Sequence, residues 1–535
     1  MKLTYARSAV ALSLAVIGLS GCGGGSGSGS SNSGGGTTTY PASGAYGWVL
    51  KASGPTDAPN KKGLSLVHPS KTDTEYIIES ASLNVTDARL LSSGSVDTGA
   101  LRASSVQPYS LVYIVGGDVR AVSMQANGAK PLPKRQPTGT SSACRFLISA
   151  NDYAIPLNSR YIISTTGVDG ECNTSDDARA EVRLSSDGTP TVTVLTGDAP
   201  LDAVRDPATL APRGWIYPRN VVLWNTSPAT TVEVRASAVA AISSVVASTY
   251  KQALVEDGTR LGVINFSGGS TFTETPLDAV TTAGSGWQSI GYDADSFYVY
   301  RNSDNTFDAT STVLRITRTN PVATVVTSGS GSIALASLGS NVIYLTVLRQ
   351  ADNRLIRVNK TGGTPTETVT AKTIFTSVQT SASGVHLLWR VTNVGTAAAA
   401  YTIELVNESS STPLLTRTGG WPINMADAST QNFNSSESRN RFIFASGFTA
   451  AQTFTGASLE TYDAATTTSR VLGALPSSAD FGTDPSFALA IGGPSGAGVA
   501  FAARSSGGSI QQTGARVYSF DLGTANSLKA TSKSE

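Results

Sequence analysis

Leu111-Val112-Tyr113-Ile114-Val115, then Gly116-Gly117-Asp118, then Val119-Arg120-Ala121-Val122-Ser123 and Asn127-Gly128: this run decides the fold class. An apolar strand with an aromatic centre meets a glycine turn. A second strand follows, alternating apolar and polar, and another turn ends it. Period-two alternation between turn residues marks half-buried β-strands. The same shape returns where 342–347 leads to 355–359 and Gly362-Gly363, and where 297–300 leads to 313–317. Second strands of this kind also begin near Gly63, Ala178, Arg260, Tyr401, Ser458 and Ala515, giving nine anchors roughly 55 residues apart.

Units of 40 to 60 residues match the four antiparallel strands of a β-propeller blade. No WD40 or kelch signature repeats in register. The units resemble the loose blades of bacterial periplasmic and surface propellers, as in Tyr518-Ser519-Phe520-Asp521, and the resemblance runs over most of 45–525. It implies an all-β domain over 45–530, a single seven- or eight-bladed β-propeller. That count comes from pairing the first unit with the last, and from treating 202–252 as one irregular stretch. Tandem β-sandwiches are the alternative architecture.

Composition agrees with strands and tight turns. Charged residues make up 14% of the chain, against about 25% in ordinary soluble proteins. Lys and Arg number 39 against 38 Asp and Glu, so the net charge is +1. A nucleic-acid partner, which needs a basic excess, is not expected.

The N-terminus reads as an export signal. Lys2 and Arg7 precede a short apolar stretch, 8–19, below the roughly 20 residues that span a bilayer. It ends in Leu19-Ser20-Gly21-Cys22, which resembles the lipobox of bacterial lipoproteins. The resemblance implies that 1–21 is a signal peptide and that Cys22 is lipidated and anchors the chain to a membrane. Gly23, in place of the aspartate of the enteric retention pattern, implies the outer membrane, on its periplasmic face or at the cell surface. Residues 22–44 then carry the lipidated cysteine and a Gly/Ser/Thr tether. A flexible chain of that length reaches on the order of 25 Å. With Cys22 given to lipid, Cys144 and Cys172 form an even pair for a disulfide in an oxidising compartment.

Few residues suggest chemistry. His68 and His386 are the two histidines, and His386 reads as a strand residue bonded to backbone. No nucleophile elbow, zincin or P-loop motif occurs. Asp169, Glu171, Asn173 and Asp177 alternate as oxygen donors, as in a calcium-binding loop. The glycine and the terminal glutamate of an EF-hand are missing, and a polar turn beside Cys172 explains the same residues. The polar stretch 302–308 reads as a hairpin loop, with a lesser claim to calcium. The six tryptophans fit blade packing, with carbohydrate stacking as the other use of Trp215, Trp224, Trp287 and Trp421. Trp48 and Trp389 lie in apolar runs. Glu256, Asp257, Asp293 and Asp295 are candidates by type for glycoside chemistry. These features favour a non-enzymatic, protein-binding or scaffolding lipoprotein of the cell envelope. In anchoring and architecture it is similar to the propeller lipoprotein of outer-membrane β-barrel assembly. A surface adhesin or matrix component, or a polysaccharide hydrolase or lyase, is the alternative.

Overall fold

The computed structural model describes residues 49–53, 63–68, 71–79, 85–90, 109–124, 142–152, 158–185, 188–206, 211–224, 229–266, 271–304, 306–370, 375–381, 384–392, 400–408, 412–425, 441–447, 458–474, 487–491, 499–503, 517–520 and 524–530. The signal segment, Cys22, the tether and Trp48 lie outside the described residues.

Among the described residues, thirty-eight strands pair into ten sheets, all antiparallel and each a simple meander. The first two sheets, 49–79 and 85–124, have three strands each; the other eight have four. In chain order these span 143–194, 202–233, 244–276, 288–330, 332–370, 375–418, 421–474 and 487–530. A short helix, Ala279–Thr282, links the fifth and sixth sheets. No helix among the described residues is long and apolar enough to cross a membrane.

Neighbouring sheets pack face to face, and alternation within a strand decides which neighbour each side chain meets. In Ser296–Asn302 of the sixth sheet, Phe297 and Val299 join Leu254, Leu261 and Val263 of the fifth. Tyr298 and Tyr300 point the other way, to Ile343, Leu345 and Val347 of the seventh. Val342–Leu348 repeats the device, since Val342 and Tyr344 meet Leu388 and Val406 of the eighth sheet. Central strands buried on both faces read as unbroken apolar runs, while the alternation survives in their neighbours. First strands of adjoining sheets also lie side by side, as between the second and third, the third and fourth, and the fifth, sixth, seventh and eighth. The chain is therefore all-β, with successive four-stranded sheets stacked as propeller blades are.

The sheet count corrects the expected seven or eight. The stretch 202–252 holds a complete fourth sheet, Asp202–Arg205, Pro212–Ile216, Asn220–Leu223 and Thr230–Glu233, and opens the fifth. Its strands are four or five residues long, too short for alternation to register in sequence. Nor does the first unit lend a strand to the last. Val49–Ser53 pairs with Gly63–His68 inside its own sheet, and Phe487–Ile491 pairs with Val499–Ala503 in another. His68 is the last residue of the second strand.

Candidate functional site

A buried or half-buried charged side chain bridges each junction from the first sheet to the ninth. Glu79 accepts hydrogen bonds from Tyr113 Oη and Arg120 Nη1, both at 2.8 Å. Asp87 accepts from the Phe146 amide at 2.9 Å, and Glu181 from Trp215 Nε1 at 2.8 Å. Arg235, just past the fourth sheet, donates to Asp257 at 2.9 Å and to both oxygens of Glu274 in the fifth. Glu256 accepts from the amides of Gly286 and Trp287 at 3.1 and 3.2 Å. Lys360 Nζ pairs with Asp293 at 2.9 Å. Glu408 reaches Ser340 and Asn341, and Arg417 pairs with Glu460.

Three of the four carboxylates singled out by type are thus inter-sheet braces. Burial pushes the Asp257 carboxyl up, but the Thr259 hydroxyl, the Thr259 and Arg260 amides and the Arg235 charge outweigh it and hold the group at about 2. Asp293 is held low in the same way, burial being outweighed by Lys360. Asp295 stands exposed and does not join them. His386 is fully buried, and its Nε2 lies 3.1 Å from Glu408 Oε1, a side-chain partner that sequence reading did not foresee.

Asp169, Glu171, Asn173 and Asp177 share one loop between Arg160–Thr165 and Ala178–Leu184, pinned by the Cys144–Cys172 disulfide. The loop's three aspartates serve its own amides. Asp169 accepts from the Glu171 amide at 2.9 Å, and Asp177 from the Asn173 and Thr174 amides at 3.0 and 3.3 Å. Asp176, absent from the expected ligand set, accepts from Val168 and Asp169. Asn173 takes φ 68°, which asparagine tolerates better than most residues. Among the described residues, no three His, Cys, Asp or Glu side chains converge to hold a metal. This is turn geometry built from acids. Cys172 is exposed, so a thiol reductant should reach the bridge. Closing a 28-residue separation stabilises by about 3–4 kcal/mol in the chain-entropy model. Cys172→Ser should lower the urea midpoint accordingly, and reductant should then have no further effect on the variant.

One cavity of about 450 Å³ opens between the third and fourth sheets. It is lined by Arg160, Arg183, Asp152, Asn158 and Ser159 on one wall, and by Asp206, Arg213 and Trp224 on the other. That volume falls within the roughly 300–1,000 Å³ of small-molecule sites. Arg160 and Arg183 are direct register partners on adjacent strands. Like charges in that position repel, and Glu181 lies beneath both, 3.3 Å from Arg160 Nη1 and 2.5 Å from Arg183 Nε. The Arg160 guanidinium also covers the Trp224 ring at 4.3 Å, and Trp224 packs edge-on to buried Trp215 at 4.8 Å. Burial lowers the Arg160 pKa; Glu181 opposes that and Arg183 adds to it. Sequence reading missed these residues, apart from the tryptophans, because they come from the ends of separate strands and share no spacing. Trp287 and Trp389 are buried packing residues, as expected. A second unforeseen carboxyl, Asp202 on the first strand of the fourth sheet, is raised by burial despite its bonds to Ser248 and the Ala203 amide.

No family model matches the chain, and no curated protein matches it. Solved structures do. A protein assigned as a 6-phosphogluconolactonase from Bacteroides fragilis NCTC 9343 aligns at 12% identity and TM-score 0.26, over 63% of this chain and 97% of its own. Prolyl endopeptidases align at 10% identity and TM-score 0.35, over 75% of this chain and 53% of theirs. A post-proline cleaving enzyme from Rickettsia typhi aligns at 8% and 0.33, over 79% and 58%. The chain thus matches a little over half the length of those peptidases. The propeller-like description rests on the sheets themselves.

Proposed function

We propose that this chain is a lipid-anchored envelope protein whose ten sheets close into one ring and whose outer rim docks protein partners, without catalysis of its own. The observation that carries this reading is the state of the outermost strands. Ala323–Ser330 has one buried residue in eight. It bears no charge and no proline, the usual devices that keep a sheet edge from pairing. Pro190–Val194, Pro413–Thr418 and Thr468–Ala474 are likewise mostly exposed, and Val194, Val322, Val325, Leu414 and Val471 stand in or beside these strands on the surface. Such edges accept an added strand, with backbone bonds supplying affinity and alternate side chains supplying choice. Closure is supported by contact of Val49–Ser53 in the first sheet with Phe487–Ile491 in the last. The lipobox supplies the anchor.

Palmitate labelling of cells should tag the wild type and not Cys22→Ser; an unlabelled wild type would remove the anchor. Cross-linking in intact envelopes should give a discrete adduct that weakens when Val325 in the outer strand of the sixth sheet is replaced by lysine. An adduct unchanged by Val325→Lys would take docking away from that rim. Protease applied to intact cells separates a periplasmic rim from an exterior one.

A further inference from the structure

We infer that the cleft between the third and fourth sheets binds an acidic sugar, a carboxylate carried on a polyhydroxylated ring. Arg160 and Arg183 stand opposite each other across two strands, yet share the single carboxylate of Glu181. Glu181 is itself buried and also accepts from Trp215. The pair therefore holds one positive charge more than its partner cancels. Cross-strand arginines are costly, and a second carboxylate from a ligand would complete them.

Donors remain for it. Of the Arg160 nitrogens, only Nη1 is hydrogen-bonded among the described residues. Arg183 bonds Glu181 through Nε and Nη2, while its side chain is 54% exposed. Two guanidiniums braced by one buried acid, one of them lying over Trp224, form a preorganised fork for a carboxylate.

The rest of the lining argues against a bare anion. Asp152 and Asp206 face the same cavity, together with Asn158 and Ser159. With Arg213 and Glu181 included, the charges balance, so the site has no broad field to collect anions. Its selectivity comes from directed groups, acceptors as well as donors. Hydroxyls both donate and accept, and a ring bearing several of them beside one carboxylate answers both walls. Neither the lipid anchor nor ring closure enters this inference.

The test is calorimetric titration of the full chain with trigalacturonate, maltotriose and tricarballylate. Trigalacturonate should bind. Maltotriose, which lacks the carboxylate, and tricarballylate, which lacks the ring hydroxyls, should each bind at least tenfold more weakly. Arg183→Gln, at a largely exposed side chain, should leave the melting temperature in place and weaken trigalacturonate at least tenfold. Asp206→Asn should weaken it without making tricarballylate worse. Absence of trigalacturonate binding, equal binding of either control, or unchanged affinity in Arg183→Gln would overturn the assignment.

Discussion

Arg235→Met should be among the most destabilising single substitutions in this protein, lowering stability by about 3–5 kcal/mol, the usual cost of removing one member of a buried ion pair. Arg235 is 3% exposed, and its guanidinium is divided between Asp257, Glu274 and the Ala240 carbonyl. Methionine fills much of the volume but leaves two carboxylates facing each other in the joint between the fourth and fifth sheets. Asp257, held at about 2 with Arg235 in place, loses one of the groups that keep it charged. A urea midpoint within experimental error of wild type would show the triad to be idle. Replacing all three residues by apolar ones of similar size should recover most of the loss, because it removes the desolvated charges together with their attraction. Gly262 belongs to the same joint: a Cβ there would lie 2.2 Å from Glu274 Oε1. Gly262→Ala should therefore push Glu274 off Arg235 and cost part of the same energy.

Glu408→Ala should destabilise by about 1–3 kcal/mol for each buried donor it leaves unsatisfied, and should change the response to acid. The Glu408 carboxylate accepts from the Ser340 amide at 2.7 Å, the Asn341 amide and side chain at 3.1 Å each, and His386 Nε2 at 3.1 Å. A carboxylate can only accept, so neutral His386 carries its proton on Nε2. Burial drives the His386 pKa down to about 4; Glu408 opposes this and Arg357 adds to it. The sign follows from linkage. Above about pH 6.5 both folded and unfolded chains hold the ring neutral, and the group makes no pH-dependent contribution. Between 6.5 and 4 the unfolded chain takes up a proton that the folded one refuses, so stability falls with pH, by on the order of 3 kcal/mol. Below about 4 both states are protonated and this contribution levels off. Urea midpoints measured from pH 7.5 to 4 should show that decline, and His386→Gln should flatten it. A decline of equal size in His386→Gln would place the titrating group elsewhere. Gly339 also closes on this site, since a Cβ there would sit 2.3 Å from Glu408 Oε1 and 2.7 Å from His386 Cε1.

Much of the fold was legible because strand formation is a local matter. All nine repeat anchors fall on or within two residues of strands, among them Ala178–Leu184, Thr310–Thr317 and Asn353–Asn359. The disulfide was legible by elimination, and the structure forms it. The fourth sheet was not, because strands such as Asp202–Arg205 and Asn220–Leu223 have four residues and two cycles of alternation cannot be told from chance. The calcium reading of 169–177 left open two uses of the same atoms. Acid side chains suit a cation and suit a turn's own amides, and Asp169 and Asp177 accept from the amides of their own loop.

By itself the sequence determined the strand class, the turns, the disulfide partners and the signal-like start. Each depends on residues near in sequence, or on the arithmetic of a few cysteines. The tertiary structure alone decided how many sheets there are, which acids brace them and where a ligand could sit. Arg160 and Arg183 become neighbours only when their strands pair, Trp215 meets Glu181 only when the third and fourth sheets stack, and Glu408 finds His386 and Asn341 only when the seventh and eighth do. Charges and hydrogen bonds act over a few ångströms, and a chain of strands brings such groups within range through packing rather than through spacing.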